Sequence, residues 1–101
     1  GEVMAISSFP VAKEEVALVV DKSVAAEDVR QALIEGAGPL LESVEVFDVY
    51  EGEQVGDNHM SLAFNLRLRG ADRPLPDSEA LETRDAAVAR AEEPCGAQLR
   101  S

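Results

Sequence analysis

This sequence of 101 residues has few of the residue types on which many common functions depend. Its one cysteine, Cys95, excludes an internal disulfide and a cysteine-ligated zinc site. A lone cysteine also fits a reducing compartment, so we expect a cytoplasmic protein. No apolar run approaches the roughly 20 residues that a membrane-spanning helix needs, and we expect no signal peptide from the first residues of the sequence. We therefore expect no contact with a membrane.

Basic residues are also scarce. Nine Lys and Arg residues stand against twenty Asp and Glu residues, which gives a formal net charge of −11. Because affinity for phosphate comes mostly from Lys and Arg, this balance argues against a non-specific nucleic-acid binder, and we expect no DNA partner. Hydrophobic residues make up 46% of the chain, which is enough for one small domain with its own core.

The pattern of apolar and polar residues predicts six elements in the order strand, helix, strand, strand, helix, strand. Ser23 and Asp77 are the predicted start signals of the two helices, and Gly36, Gly38 and Pro39 end the first one. The predicted elements are a strand at 16–20, a helix from residue 25, strands at 40–50 and 61–69, a helix at 77–93 and a short strand at 97–100.

The strand at 61–69 shows the clearest alternation in the chain. One of its faces is apolar, with Leu62, Phe64, Leu66 and Leu68. The element order is that of an α+β, ferredoxin-like βαββαβ sandwich, in which two helices cover one face of a four-stranded antiparallel sheet. We interpret residues 1–10 as a lead-in from a longer parent chain and residues 11–101 as this domain.

The other face of the sheet is predicted to be open. Asp48 and Tyr50 are two residues apart and share one face, which we place on the open side. Val44 and Val46 have the same parity and would then be exposed too, unless a bulge interrupts the strand. Ser61, Asn65, Arg67 and Arg100 are also predicted on this side. A tyrosine, polar groups and arginines together suit the recognition of a few unpaired bases, although strand arginines are also often merely solvated.

No catalytic chemistry is indicated. His59 is the only histidine and has no further metal ligands at suitable spacing. Cys95 has no histidine nearby in sequence, which indicates an unreactive thiol rather than a nucleophile. There is no glycine-rich phosphate loop. We expect no catalytic residue, no metal and no cofactor in this domain.

Two motifs are more specific than the pattern around them. Phe-Asp-Val-Tyr-Glu-Gly at residues 47–52 is followed by Ser-Leu-Ala-Phe at residues 61–64. Together they resemble the ferredoxin-fold anticodon-binding domain at the C-terminus of the bacterial phenylalanyl-tRNA synthetase β chain. Phe9-Pro10 before the first strand and Gly96-Ala97 before the last follow the order of the same family, so the resemblance spans nearly the whole chain.

The resemblance implies a role within a larger enzyme. That enzyme attaches phenylalanine to its tRNA with ATP and Mg²⁺, and it is an (αβ)₂ heterotetramer whose catalytic centre lies in the α subunit. The domain itself is non-catalytic and contacts the anticodon stem-loop of tRNA(Phe). Carried over, Asp48 and Tyr50 meet the first anticodon base, a guanine, with Ser61 and Arg100 beside them. The strand pattern alone adds Asn65 and Arg67, so the candidate RNA-binding residues are Asp48, Tyr50, Ser61, Asn65, Arg67 and Arg100.

Two other functions remain open on the same fold. One is a regulatory or dimerisation domain that binds a small ligand. The other is a protein-docking domain that does not read RNA, which the shortage of basic residues would permit. Fold alone does not distinguish them, because one fold supports many unrelated functions.

Overall fold

The elements follow one another in the predicted order. The computed structural model describes residues 9–100, so most of the predicted lead-in lies outside the described residues. A short 3₁₀ helix, Gly38–Leu40, joins the first helix to the second strand. The main elements are β1 (Ala12–Asp21), α1 (Ala26–Ala37), β2 (Leu41–Tyr50), β3 (His59–Leu68), α2 (Asp77–Cys95) and β4 (Gln98–Leu99).

The four strands form one antiparallel sheet in the order β2-β3-β1-β4. This arrangement confirms the predicted ferredoxin-like α+β fold. No helix within residues 9–100 is long and apolar enough to cross a membrane.

The core lies between the helices and one face of the sheet. Alternate residues of β3 point into it, and Phe64 at its centre is fully buried. Val16, Leu18 and Val20 of β1 lie in the same cluster with Val29 and Leu33 of α1. Full burial of one such side chain contributes about 1.5–3 kcal/mol. None of the helices that the structure describes covers the opposite face of the sheet, and we call it the open face.

Small residues bring the two helices close together. Gly36 of α1 lies so near α2 that an added Cβ would stand 2.6 Å from the carbonyl oxygen of Ala86 and 2.7 Å from the Cα of Ala87. Ala87 and Ala91 are fully buried in α2. The close contact explains why a glycine is accommodated inside a helix, where its conformational entropy is otherwise a cost.

The ends of several elements differ from the prediction. β1 begins at Ala12 rather than at residue 16, because its polar first half alternates too: Glu14 turns to the helical side, 3.7 Å from Arg84. The two predicted start signals were wrong. α1 begins after Ala25 without a side-chain cap, while Ser23 donates to the Asp21 carboxylate instead. α2 begins after Pro76, with Asp77 inside its first turn.

A bulge in β2 resolves the conflict between the faces of its residues. Val46 pairs with Phe64, but Asp48 pairs with the next residue, Ala63, so Phe47 is an extra residue in the strand. Before the bulge, Val44 faces the core and is 1% exposed. After it, the parity is reversed, and Asp48 and Tyr50 lie on the open face.

Candidate nucleic-acid interface

Side chains from both edges of the sheet meet at one end of the open face. Tyr50 and Asp48 come from the edge strand β2. Arg100 follows β4 at the other edge, where its N–H donates to the Ala17 carbonyl at 2.8 Å. On the central strands, Ala63 of β3 pairs with Asp48 on one side and with Ala17 of β1 on the other. These small alanines leave room for the long side chains above them. We call Asp48, Tyr50 and Arg100 the Tyr50 cluster.

The ring of Tyr50 is held from three sides. The Arg100 guanidinium carbon lies 4.9 Å from the ring centroid, a cation–π contact worth about 0.5–1 kcal/mol at an exposed position. The Tyr50 hydroxyl donates to Oε1 of Gln54. The ring also covers Gly52, where an added Cβ would stand 2.7 Å from the Tyr50 Cζ. Sequence reasoning did not identify Gln54, and only the Tyr-x-Gly spacing pointed to Gly52.

Ser61 lies next to Tyr50 in the sheet, directly across from it on β3. It is only 3% exposed, although it is polar. The structure thus brings Ser61 to the predicted place, but most of its surface is covered.

Most of the basic side chains are already paired with carboxylates. Within residues 9–100, Lys13 and Arg100 are the two of the nine that make no ion pair. Both belong to the open face. The paired ones are Lys22, Arg30, Arg67, Arg69, Arg73, Arg84 and Arg90.

Arg67 lies far from the Tyr50 cluster. Along extended β3 it lies four residues from the row of Asp48 and six residues from the row of Tyr50, roughly 13 and 20 Å. Its Nε is 3.3 Å from one oxygen of Glu42, and the Nε of Arg69 is 2.9 Å from the other. Hydrogen bonds from Arg69 and then from Arg67 lower the pKa of Glu42. The predicted site residues therefore fall into two groups. Asp48, Tyr50, Ser61 and Arg100 lie at one end of the open face, and Asn65 and Arg67 lie farther along β3.

The second group lines a groove of about 360 Å³ on the open face. Asn65 is at its centre, between Glu45 of β2 and Glu15 of β1. In the next row of the sheet, Arg67 lies between Ser43 and Lys13. The sequence did not predict this groove, because its walls come from three strands that are distant in the chain. We call these six residues the open-face groove.

The remaining reactive side chains do not converge. The Nδ1 of His59 lies 2.6 Å from the carbonyl oxygen of Asp57. Burial, with a smaller contribution from Asp28, raises the pKa of the Cys95 thiol, which disfavours its reactive thiolate form. Among the residues that the structure describes, no three His, Cys, Asp or Glu side chains form a group that could hold a metal ion.

Comparison with known proteins identifies the family. Residues 7–100 match the family described as ferredoxin-fold anticodon binding domain. The chain is 92% identical over 101 residues to the phenylalanine–tRNA ligase beta subunit of Cutibacterium acnes, covering 100% of this chain and 12% of that protein. It is 62% identical over 96 residues to the subunit of the same name from Streptomyces avermitilis, covering 95% of this chain and 12% of the relative. The chain therefore belongs to the ferredoxin-fold anticodon-binding domain family.

Proposed function

We propose that this domain binds the anticodon loop of tRNA(Phe) as part of a phenylalanine–tRNA ligase β subunit. The observation that carries the proposal is the Tyr50 cluster, which places a ring, a carboxylate and a guanidinium without an ion pair among residues 9–100 on one open surface. An unpaired base stacks on the Tyr50 ring, and Asp48 accepts hydrogen bonds from the N–H groups of a guanine edge. Arg100 meets the neighbouring phosphate.

The relatives' name supports the wider role. The whole enzyme joins phenylalanine to tRNA(Phe) with ATP and Mg²⁺, and the α subunit of an (αβ)₂ heterotetramer performs the chemistry. This domain contributes no catalytic group and no cofactor of its own, and it positions the tRNA for that reaction in the cytoplasm. The chain spans 12% of the length of these relatives, so the rest of the enzyme supplies the remaining contacts.

The test uses the assembled ligase with Tyr50→Ala in its β subunit. ATP-dependent activation of phenylalanine should be unchanged, while kcat/KM for tRNA(Phe) should fall about tenfold, since stacking of one base is worth about 1–3 kcal/mol. Leu81→Ala, on the helical side and also partly exposed, is the control and should change neither reaction. Equal losses in both reactions, or no loss in tRNA charging, would contradict the proposal.

Protein docking is a second candidate, favoured by one observation. Three apolar side chains of the edge strand β2 are exposed: Val46 by 40%, Phe47 by 51% and Val49 by 55%. Exposed apolar groups that lie together often mark a protein interface. Amide chemical shifts during titration with an anticodon hairpin separate the two functions. Shifts at Asp48, Tyr50 and Ser61 support RNA binding, whereas an unperturbed open face supports docking alone.

A further inference from the structure

The chain that enters the domain is held to the sheet by one side chain. Phe9 and Pro10 end the predicted lead-in, and Nη1 of Arg69 donates to the Phe9 carbonyl oxygen at 2.5 Å, across 60 residues of sequence. We propose that Arg69 fixes the direction in which this entering chain leaves the domain, and that it thereby positions the Tyr50 cluster relative to the catalytic part of the ligase. This inference rests on the proposed function and adds a positioning residue to it.

Glu42 determines where the Arg69 guanidinium points. The register of β2 and β3 shifts between Leu41 and Ser43, so Glu42 is an extra residue in its strand, and a bulge of this kind re-aims a side chain. The Glu42 carboxylate accepts from Nε of Arg69 at 2.9 Å and from Nη2 at 3.4 Å. Because the guanidinium is planar and its donors form a rigid fork, holding this edge leaves Nη1 directed at the Phe9 carbonyl.

The backbone is stiff at the point where Arg69 holds it. Pro10 has a fixed φ, and it disfavours a helical backbone at the preceding residue, Phe9. The nitrogen of Pro10 carries no hydrogen, so the carbonyl is the one hydrogen-bonding group of the peptide between them, and Arg69 donates to it. β1 begins soon afterwards, at Ala12, where it pairs with Leu68 of β3. A contact to such a stiff segment fixes its direction as well as one of its atoms.

A small rotation at the entering chain is amplified at the RNA-binding end of the sheet. Arg69 follows Leu68, which pairs with the first residue of β1, whereas Tyr50 pairs with Ser61. Leu68 and Ser61 are seven residues apart in extended β3, which is about 24 Å. A rotation of about 10° would therefore move the Tyr50 ring by about 4 Å. Reacting groups must be placed to within about 1 Å, so the orientation of the domain decides whether a tRNA held here also reaches the catalytic centre.

The experiment uses the assembled ligase with Arg69→Lys in its β subunit. Lysine keeps the positive charge, but a single ammonium does not reproduce the fork that holds Glu42 and the Phe9 carbonyl together. We expect KM for tRNA(Phe) to rise about tenfold with kcat unchanged, because tRNA binds productively only to the fraction of molecules in which the domain is correctly oriented. ATP-dependent activation of phenylalanine should not change.

Two comparisons show whether Arg69 acts through the entering chain. The 101-residue chain with Arg69→Lys should bind an anticodon hairpin within about twofold of the wild type, because the Tyr50 cluster is distant and intact. Retained hairpin binding also shows that the variant is folded. Arg90→Lys in the ligase is the matched control, since Arg90 holds Glu35 through the same edge of its guanidinium, between the two helices. It should leave KM for tRNA(Phe) unchanged.

The outcomes separate this inference from the proposed function. If Tyr50→Ala lowers kcat/KM for tRNA(Phe) but Arg69→Lys does not, the positioning role is wrong and the anticodon function stands. If Arg69→Lys weakens hairpin binding by the 101-residue chain as much as it weakens charging, Arg69 acts within the domain and the inference is overturned. The same holds if Arg90→Lys raises KM equally. If Tyr50→Ala leaves charging unchanged, Arg69 has no RNA contact to position, and both proposals fail.

Discussion

Replacing Gly52 with alanine tests whether the position of the Tyr50 ring matters for RNA binding. The added Cβ would stand 2.7 Å from the Tyr50 Cζ, whereas ordinary contact begins near 3.4 Å. The ring must therefore move by at least about 0.7 Å, the difference of these two distances, or leave its rotamer. The backbone itself accepts alanine, because Gly52 is not among the described residues with positive φ.

The expected effects on folding and on binding differ in size. The displaced group is the end of a half-exposed side chain, so the free energy of unfolding should change by no more than about 0.5 kcal/mol. Binding should suffer more, since the displaced ring loses its position over Arg100 and its hydrogen bond to Gln54. With stacking worth about 1–3 kcal/mol, the Kd for an anticodon hairpin should rise by about 5- to 150-fold.

The assay benefits from the composition of the chain. Tyr50 is the only tyrosine and there is no tryptophan, so intrinsic fluorescence reports on this ring alone. Gly52→Ala should change that fluorescence, while circular dichroism shows an unchanged melting curve. Because the substitution acts through the ring, the Gly52→Ala/Tyr50→Ala double variant should bind no worse than Tyr50→Ala. A changed fluorescence with unchanged affinity would refute the role of the ring in binding.

Three further changes test other parts of the structure. Gly36→Ala should destabilise the fold by about 1–3 kcal/mol in a urea titration, since the new Cβ meets the backbone of Ala87, and an unaltered midpoint would contradict the helix contact. The hydrogen bond from Arg69 lowers the pKa of Glu42, so the wild type should be more stable than Glu42→Gln at neutral pH, and this difference should vanish as the pH falls below about 4. A difference in melting temperature between the two proteins that stays constant across the pH series would contradict the ion pair's contribution. Arg100→Gln should reduce the slope of log K for hairpin binding against log salt concentration by the amount of about one phosphate contact. An unchanged slope would show that Arg100 does not contact phosphate.

The fold could be predicted where side-chain periodicity and burial agree. In β3 every second residue is apolar, and the structure buries Leu62, Phe64, Leu66 and Leu68 against the helices. The first half of β1 could not be predicted in the same way. Both of its faces carry charge there, because Glu14 meets Arg84 on the helical side, and a polar strand of this kind has no apolar signal.

The candidate site was only partly predictable, because it depends on register. The sequence placed Asp48 and Tyr50 together, since they are two residues apart, but it did not establish the bulge at Phe47 that turns them outward. It also grouped Arg67 with them, although that side chain lies far along the strand beside Glu42. Which residues of three separate strands stand in one row is decided by strand pairing, and periodicity within one strand does not determine it.

Net charge is a poor guide to whether this domain binds RNA, because most of its basic side chains are paired with carboxylates and only a few can contact phosphate. The carboxylates that make the chain acidic also neutralise most of its basic side chains, so the ion pairs leave few cations to meet phosphate. In the described part of the chain, Arg100 is one of the two cations without an ion pair, and it lies over the Tyr50 ring on which we propose that a base stacks. Long-range repulsion from the acidic helices is screened beyond about 8 Å at physiological salt, whereas a direct contact to Arg100 is not. We therefore expect the domain to bind a short unpaired segment better than a long duplex, since only a short segment touches this cluster without meeting the acid around it.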